Sequence, residues 1–217
     1  MKPIIIYCYD AWCGWCYGFS PVIKSLHEKY KTKFDFETIS GGMIPVDATQ
    51  HIGKIAGYIK DAYKTVEQMT GIKFGTDFLW HINNPDLSDW HPNSEMAAIA
   101  MSILKDFNPD RSIEFAADLQ FALYSEGRDL TDPEAYRHLI EKYEFDLKEF
   151  YEKLKSEEYK EKAYYDFSLI KQLNVNGFPT LFIQISESKL YMIARGYSDQ
   201  KSIEKRIDDI MLENNIQ

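Results

Sequence analysis

The apolar residues of this chain follow one period at its two ends and another through its middle. Residues 3–9, PIIIYCY, form an unbroken run rich in β-branched and aromatic side chains, the pattern of a strand buried on both faces. After DAWCGWC, the positions Phe19, Val22, Ile23 and Leu26 fall on one face of a helix that runs to about Lys31. KFDFETIS then alternates Phe34, Phe36 and Thr38 with charged neighbours, as a second strand would. The chain thus opens as β-α-β.

From Pro45 to about Tyr165 the spacing is helical. Met96, Ala97, Ala100, Met101 and Leu104 make one stripe, and Phe115, Ala116, Leu119, Ala122 and Leu123 make another. Helix starts are predicted at Thr131 with Glu134 and at Asp146 with Glu149, both at capping-box spacing, and Pro133 suits a first turn. Phe145, Leu147, Phe150 and Leu154 turn inward from an otherwise charged, solvated face. Strand signals then return. TLFIQI (180–185) and KLYMIARG (189–196) predict a hairpin about a polar turn, and Ile203, Ile207, Ile210 and Met211 predict a closing helix. The expected class is α/β, interrupted once: a first half at residues 1–45, an all-helical insertion at 46–160, and a second half at 161–217.

With 217 residues, 45% of them hydrophobic, the chain can bury a substantial core. Its 34 acidic against 25 basic residues give a formal charge of −9, which repels phosphate backbones and anionic headgroups. Neither nucleic acid nor membrane is expected as a partner. No apolar run approaches the roughly 20 residues of a membrane span. The start, MKPIIIYCYD, is too short for a secretory apolar region and no small-residue cleavage site follows, so a cytoplasmic location is expected. There the three cysteines would be held as thiols.

All three lie in YCYDAWCGWC. Cys8, Cys13 and Cys16 begin the spacing of a plant-type iron–sulfur site, but the chain has no fourth cysteine, and His27, His51, His81, His91 and His138 stand far from a short ligand spacing. No metal is expected. Cys8, inside the first strand between Tyr7 and Tyr9, reads as a small buried hydrophobe. Cys13 and Cys16 could be buried in the same way, but they fall where a strand passes into a helix. Unpaired N–H groups and the positive helix end favour a thiolate at such a place. At i and i+3 on one turn they share a face and can form a disulfide. Cys13, at the edge, is expected to be the exposed nucleophile and Cys16 the buried resolving thiol, the arrangement of thiol–disulfide exchange through a mixed disulfide. Pro179, just before a strand, reads from the sequence alone as an ordinary trans proline.

These segments, DAWCGWCYGF and VNGFPTLFI, resemble the DsbA-like branch of the thioredoxin superfamily, and the helical block has the size of that family's insertion. More narrowly, WCGWCYGF and SGGM resemble the FrnE-type subfamily of protein-disulfide isomerase-like proteins. The resemblance implies a thioredoxin fold with a mixed central sheet, and a disulfide oxidoreductase or isomerase acting on protein or peptide thiols. It implies that Cys13 is the nucleophile and Cys16 the resolving residue. It also implies a cis Pro179 facing them behind Phe178, where backbone pairs with an extended substrate. No cofactor is expected beyond the redox-active Cys13–Cys16 pair, with glutathione as a candidate electron partner. Where the family's best-known periplasmic oxidant has Pro-His between its cysteines, this chain has Gly14-Trp15. Loss of that His removes a cationic stabiliser of the thiolate, which favours a reductase or isomerase over a net oxidant.

Trp12 and Trp15 are the candidate substrate rim, with Phe19 as core. Trp80-His81 and Trp90-His91 either face the thiols or anchor loops. Glu37 is a solvent-facing strand carboxylate that could also accept a proton from Cys16. SGGM lacks the Lys and spacing of a phosphate loop. Two rivals remain: a glutathione-dependent isomerase or transferase of the kappa and 2-hydroxychromene-carboxylate branch, which Cys16 argues against, and a peptide-binding module using Cys13–Cys16 as a staple.

Overall fold

In the computed structural model, which describes residues 2–215, the first apolar run forms β1 (Ile4–Tyr9) at an inner position of a four-stranded sheet. The strand order is β2-β1-β3-β4, with β2 at Asp35–Ser40, β3 at Thr180–Ser186 and β4 at Lys189–Arg195. β1 pairs parallel with β2, joined through helix α1 (Gly14–Tyr30), and antiparallel with β3, which turns back into β4 as the expected hairpin. This mixed sheet, flanked by helices and interrupted by a helical block, is the expected thioredoxin architecture.

β1 separates two cores because successive side chains leave opposite faces. Ile5, Tyr7 and Tyr9 join the larger core with α1 and the closing helix α9 (Gln200–Glu213), whereas Ile6 and Cys8 meet Ile39, Phe182 and Ile170 on the other face. α9 buries Ile203, Ile207 and Ile210 as its spacing requires, with Met211 half-buried beside them. Removing a ring such as Phe19, fully buried in the larger core, would cost about 3–5 kcal/mol.

The inserted block contains α2 (Gly53–Thr70), α3 (Thr76–Asn83), α4 (Glu95–Phe107), α5 (Ser112–Tyr124), α6 (Arg137–Lys142) and α7 (Leu147–Leu154). It shares one continuous apolar core with the sheet, in which Ala100, Met101 and Leu119 are fully buried. α8 runs unbroken from Glu157 to Gln172, so the join at 160 lies inside a helix. Asp146 caps α7 by accepting from the Glu149 N–H, as expected. The start near residue 131 differs. Asp132, not Thr131, accepts from the Glu134 N–H, because the Thr131 hydroxyl is engaged by Asp129 at 2.8 Å. Among the described residues, no helix is long and apolar enough to cross a membrane.

Candidate active site

α1 begins where the buried strand ends, and Cys13 is its N-cap residue, with extended backbone at φ −91° and ψ 108°. Its carbonyl accepts from the Cys16 N–H at 3.0 Å and the Tyr17 N–H at 3.1 Å, which closes the first turn and puts Cys16 one turn below. Pro21 sits inside this helix, and the Tyr17 carbonyl, which a residue 21 N–H would otherwise serve, takes the Ser20 hydroxyl at 2.8 Å. Both thiols are unbonded to each other, and Cys16 lies within hydrogen-bonding reach of Cys13.

The cover over this turn comes from the far end of the chain. The Phe178–Pro179 peptide is cis, and the Phe178 carbonyl accepts from the Cys13 Sγ at 3.5 Å. Cys13 is therefore only 7% exposed, which corrects the expectation of an exposed thiol. It reaches two cavities instead. One, about 300 Å³, is almost wholly apolar and runs beneath α2 past Trp12, Ile55, Ile59 and Phe74. The other is a groove of about 1040 Å³ between Met43, Tyr164, Phe167 and the Phe178 loop. Trp15 lines both.

Gly41 and Gly42 in the SGGM loop allow this closeness. A Cβ on Gly41 would lie 2.4 Å from the Phe178 ring, and one on Gly42, whose φ is +65°, would lie 2.7 Å from the Phe167 ring. Gly14 opens α1 and has room for a Cβ, 3.6 Å from Phe74. Trp12 is buried, packed edge-on against Trp90 at 6.1 Å, so it is wall rather than rim. Trp15 is half-buried, against Tyr197 at 6.4 Å. Trp90 and His81 stack at 3.9 Å as a loop anchor, and Trp80 and His91 stand at the surface; none of the four lines either cavity at Cys13. Glu37 is half-exposed and paired with Lys105 at 2.5 Å.

The electrostatics separate the cysteines. Burial, then the hydrogen bond and charge of Cys13, push the Cys16 thiol well up; the Asp10 backbone N–H pulls the other way. Burial, with the Asp166 carboxylate, pushes Cys8 up to about 12, which leaves it an inert thiol on the opposite face of β1. Among the described residues, no group of three or more His, Cys, Asp or Glu side chains could hold a metal ion.

Asp10, which the sequence reading passed over, organises the turn. Its backbone carbonyl accepts from the Cys13 N–H at 3.1 Å and from Gln120 Nε2 at 3.3 Å. Its carboxylate accepts from the Trp12 N–H at 2.9 Å, the Met43 N–H at 2.8 Å and the Ser94 hydroxyl at 3.1 Å. The available signal was an acidic residue between a buried strand and a helix start, a place that must be either solvated or fully hydrogen-bonded.

A family model described as a DSBA-like thioredoxin domain matches residues 4–208. A protein of Nitrosomonas europaea regarded as a candidate protein disulfide isomerase has a crystal structure similar over 99% of both chains, at 22% identity and a TM-score of 0.85. The cytosolic disulfide reductase DsbM of Pseudomonas aeruginosa is similar over 97% of this chain and 98% of its own, at 22% identity and a TM-score of 0.73, and its structure with glutathione gives 0.70. The ClpXP adapter protein SpxH of Bacillus subtilis is 23% identical over 184 residues, 83% of this chain but 58% of that protein, so the chain spans under two thirds of that relative. These structural neighbours share the fold of this chain over nearly its whole length. From the family match and the fold together, the chain belongs to the DsbA-like thioredoxin family.

Proposed function

We propose that this protein exchanges disulfides with protein or peptide thiols, Cys13 attacking and Cys16 resolving. The observation that carries the reading is the position of Cys13: helix N-cap, 3.5 Å from the carbonyl that precedes cis Pro179, and open to two cavities. Cys16, fully buried and with its thiol pushed up, stays protonated until a mixed disulfide forms above it. Exchange then runs in two steps. Cys13 attacks the substrate disulfide and releases one substrate thiol; Cys16 attacks Cys13 and releases the other. The groove at Phe178 would receive the substrate as an extended segment, with Trp15 and Phe178 as its apolar walls.

The work we assign to it is reduction or isomerisation in the cytoplasm. Gly14-Trp15 brings no cation to the thiols, and the structurally similar DsbM is a cytosolic reductase whose structure is known with glutathione. Glutathione is accordingly the electron donor to try first.

The test is insulin reduction with glutathione as donor. Cys13→Ser should abolish turnover, and Cys16→Ser should accumulate a covalent adduct on Cys13 visible by non-reducing mass spectrometry. Turnover that survives Cys13→Ser would overturn the reading.

A further inference from the structure

Tyr7 faces α1 from the middle of β1, on the same side as Ile5 and Tyr9. It is 1% exposed, and its ring is held by Tyr9 at 5.5 Å and Phe19 at 6.0 Å. Its hydroxyl has no hydrogen-bond partner. An orphaned hydroxyl in a dry core costs about 1–3 kcal/mol, so its retention calls for a reason. The side chain set to take a hydrogen bond from it is Cys16, fully buried on the first turn of α1 in the same core.

Resting on the exchange reading above, we infer that the Tyr7 hydroxyl donates a hydrogen bond to the Cys16 sulfur as that sulfur becomes a thiolate and attacks the mixed disulfide. In that step the Cys16–Cys13 bond forms and the bond from Cys13 to the substrate sulfur breaks. The substrate sulfur leaves with the electron pair and takes up the proton that Cys16 lost, while Tyr7 keeps its own. A Cys16 thiolate in this pocket needs such a donor. The other titratable groups around it are Cys13, Asp10, Tyr9 and Tyr124. Asp10 is an acceptor already filled by three donors, and its charge opposes the thiolate. The Asp10 backbone N–H assists from the main chain. Burial pushes the Tyr7 phenol well above its ordinary range, so it remains a donor throughout.

The two steps can be read apart by mixing the reduced protein with one equivalent of Ellman's reagent. The first thionitrobenzoate reports attack by Cys13, and the second reports resolution by Cys16. Tyr7→Phe, which keeps the ring and its packing, should leave the first release unchanged, slow the second about tenfold and move its pH midpoint upward. 3-Fluorotyrosine at position 7, a stronger donor of nearly the same size, should speed the second release, an effect that a purely structural role would not give. A second release as fast in Tyr7→Phe as in the wild type, with an unmoved midpoint, overturns the inference and leaves the exchange reading standing. A wild type that releases a single equivalent overturns both.

Discussion

The Asp10 carboxylate and the Ser94 hydroxyl meet at 3.1 Å across 84 positions of sequence. Ser94 precedes α4 and also accepts from the Ile44 N–H at 3.0 Å, while Asp10 accepts from the Met43 N–H at 2.8 Å. The inserted block and the glycine loop are thus both tied to the turn that carries the cysteines. Sequence distance has no bearing on the strength of such a link, since Asp10 and Ser94 are both buried.

Asp10→Ala should destabilise the fold by about 3 kcal/mol, because the buried Trp12 N–H, the part-buried Met43 N–H and the buried Ser94 hydroxyl lose their acceptor. Asp10→Asn tests the charge. Burial is the largest influence on Asp10 and raises its folded pKa, against the pull of the Met43, Trp12 and Ser94 hydrogen bonds. The folded state therefore holds that proton more tightly than the unfolded state. The resulting stability is complete below the ordinary carboxylate range and is lost as pH rises through the folded value. The stability of wild type minus that of Asp10→Asn should accordingly fall as pH rises above the ordinary carboxylate range, measured by urea titration. A difference that stays flat would show that the hydrogen bonds to the carboxylate fully offset its desolvation.

Lys105 is the second long-range tie. Its ammonium donates to the Thr38 carbonyl at 2.7 Å, pairs with Glu37 at 2.5 Å and stands 3.7 Å from the buried Asp166, which accepts from the Ser40 N–H. Burial raises Asp166, and Lys105 is the largest influence pulling it back. Lys105→Met should cost about 3 kcal/mol at neutral pH by leaving that carboxylate buried without its cation. In the variant the folded pKa rises further, so the penalty should shrink as pH falls and Asp166 takes up a proton. An equal penalty at acid and neutral pH would assign the loss to the Thr38 hydrogen bond instead.

The parts of this fold that were legible are those written as periods. The apolar run at 3–9, the helical stripes in the insertion and the Ile203-Ile207-Ile210 face each state their own element. The CxxC was legible because strand, turn and helix start are contiguous. Cys13's burial was not, since its cover is the Phe178 carbonyl, 165 positions away. Asp10 and Ser94 stayed silent for the same reason, each an ordinary loop polar residue until its partners are known. Trp12 and Trp15 flank one cysteine and could not be told apart: Trp12 turns inward because Trp90 waits there, and nothing near in sequence says so. At residue 131 two adjacent capping side chains competed, and Asp129 decided between them by engaging Thr131.

Gly41 should tolerate no side chain while Phe178 is present. A Cβ there meets the Phe178 ring at 2.4 Å, and the Phe178 carbonyl is what Cys13 touches. Gly41→Ala is expected to cost about 1–3 kcal/mol by overpacking and to slow the reaction of Cys13 with a disulfide. Combining it with Phe178→Ala should recover about 1 kcal/mol or more relative to the sum of the single changes, as neighbours in contact do. Additive losses in that double-mutant cycle would place the strain elsewhere than at this contact.

The two tryptophans beside Cys13 should part company when truncated. Trp12 is 7% exposed and seated against Trp90, so Trp12→Ala should cost about 3–5 kcal/mol of stability, read by chemical denaturation. Trp15 is half-buried and lines both cavities, so Trp15→Ala should cost about 1 kcal/mol of stability, near the average for a point substitution. Its main effect should be on KM for insulin, with the rate of Cys13 alkylation by iodoacetamide unchanged, because the small reagent needs no apolar wall. Should Trp15→Ala leave KM as it was and instead unfold the protein as readily as Trp12→Ala, the wall that receives substrate lies on the Phe178 side of the groove alone.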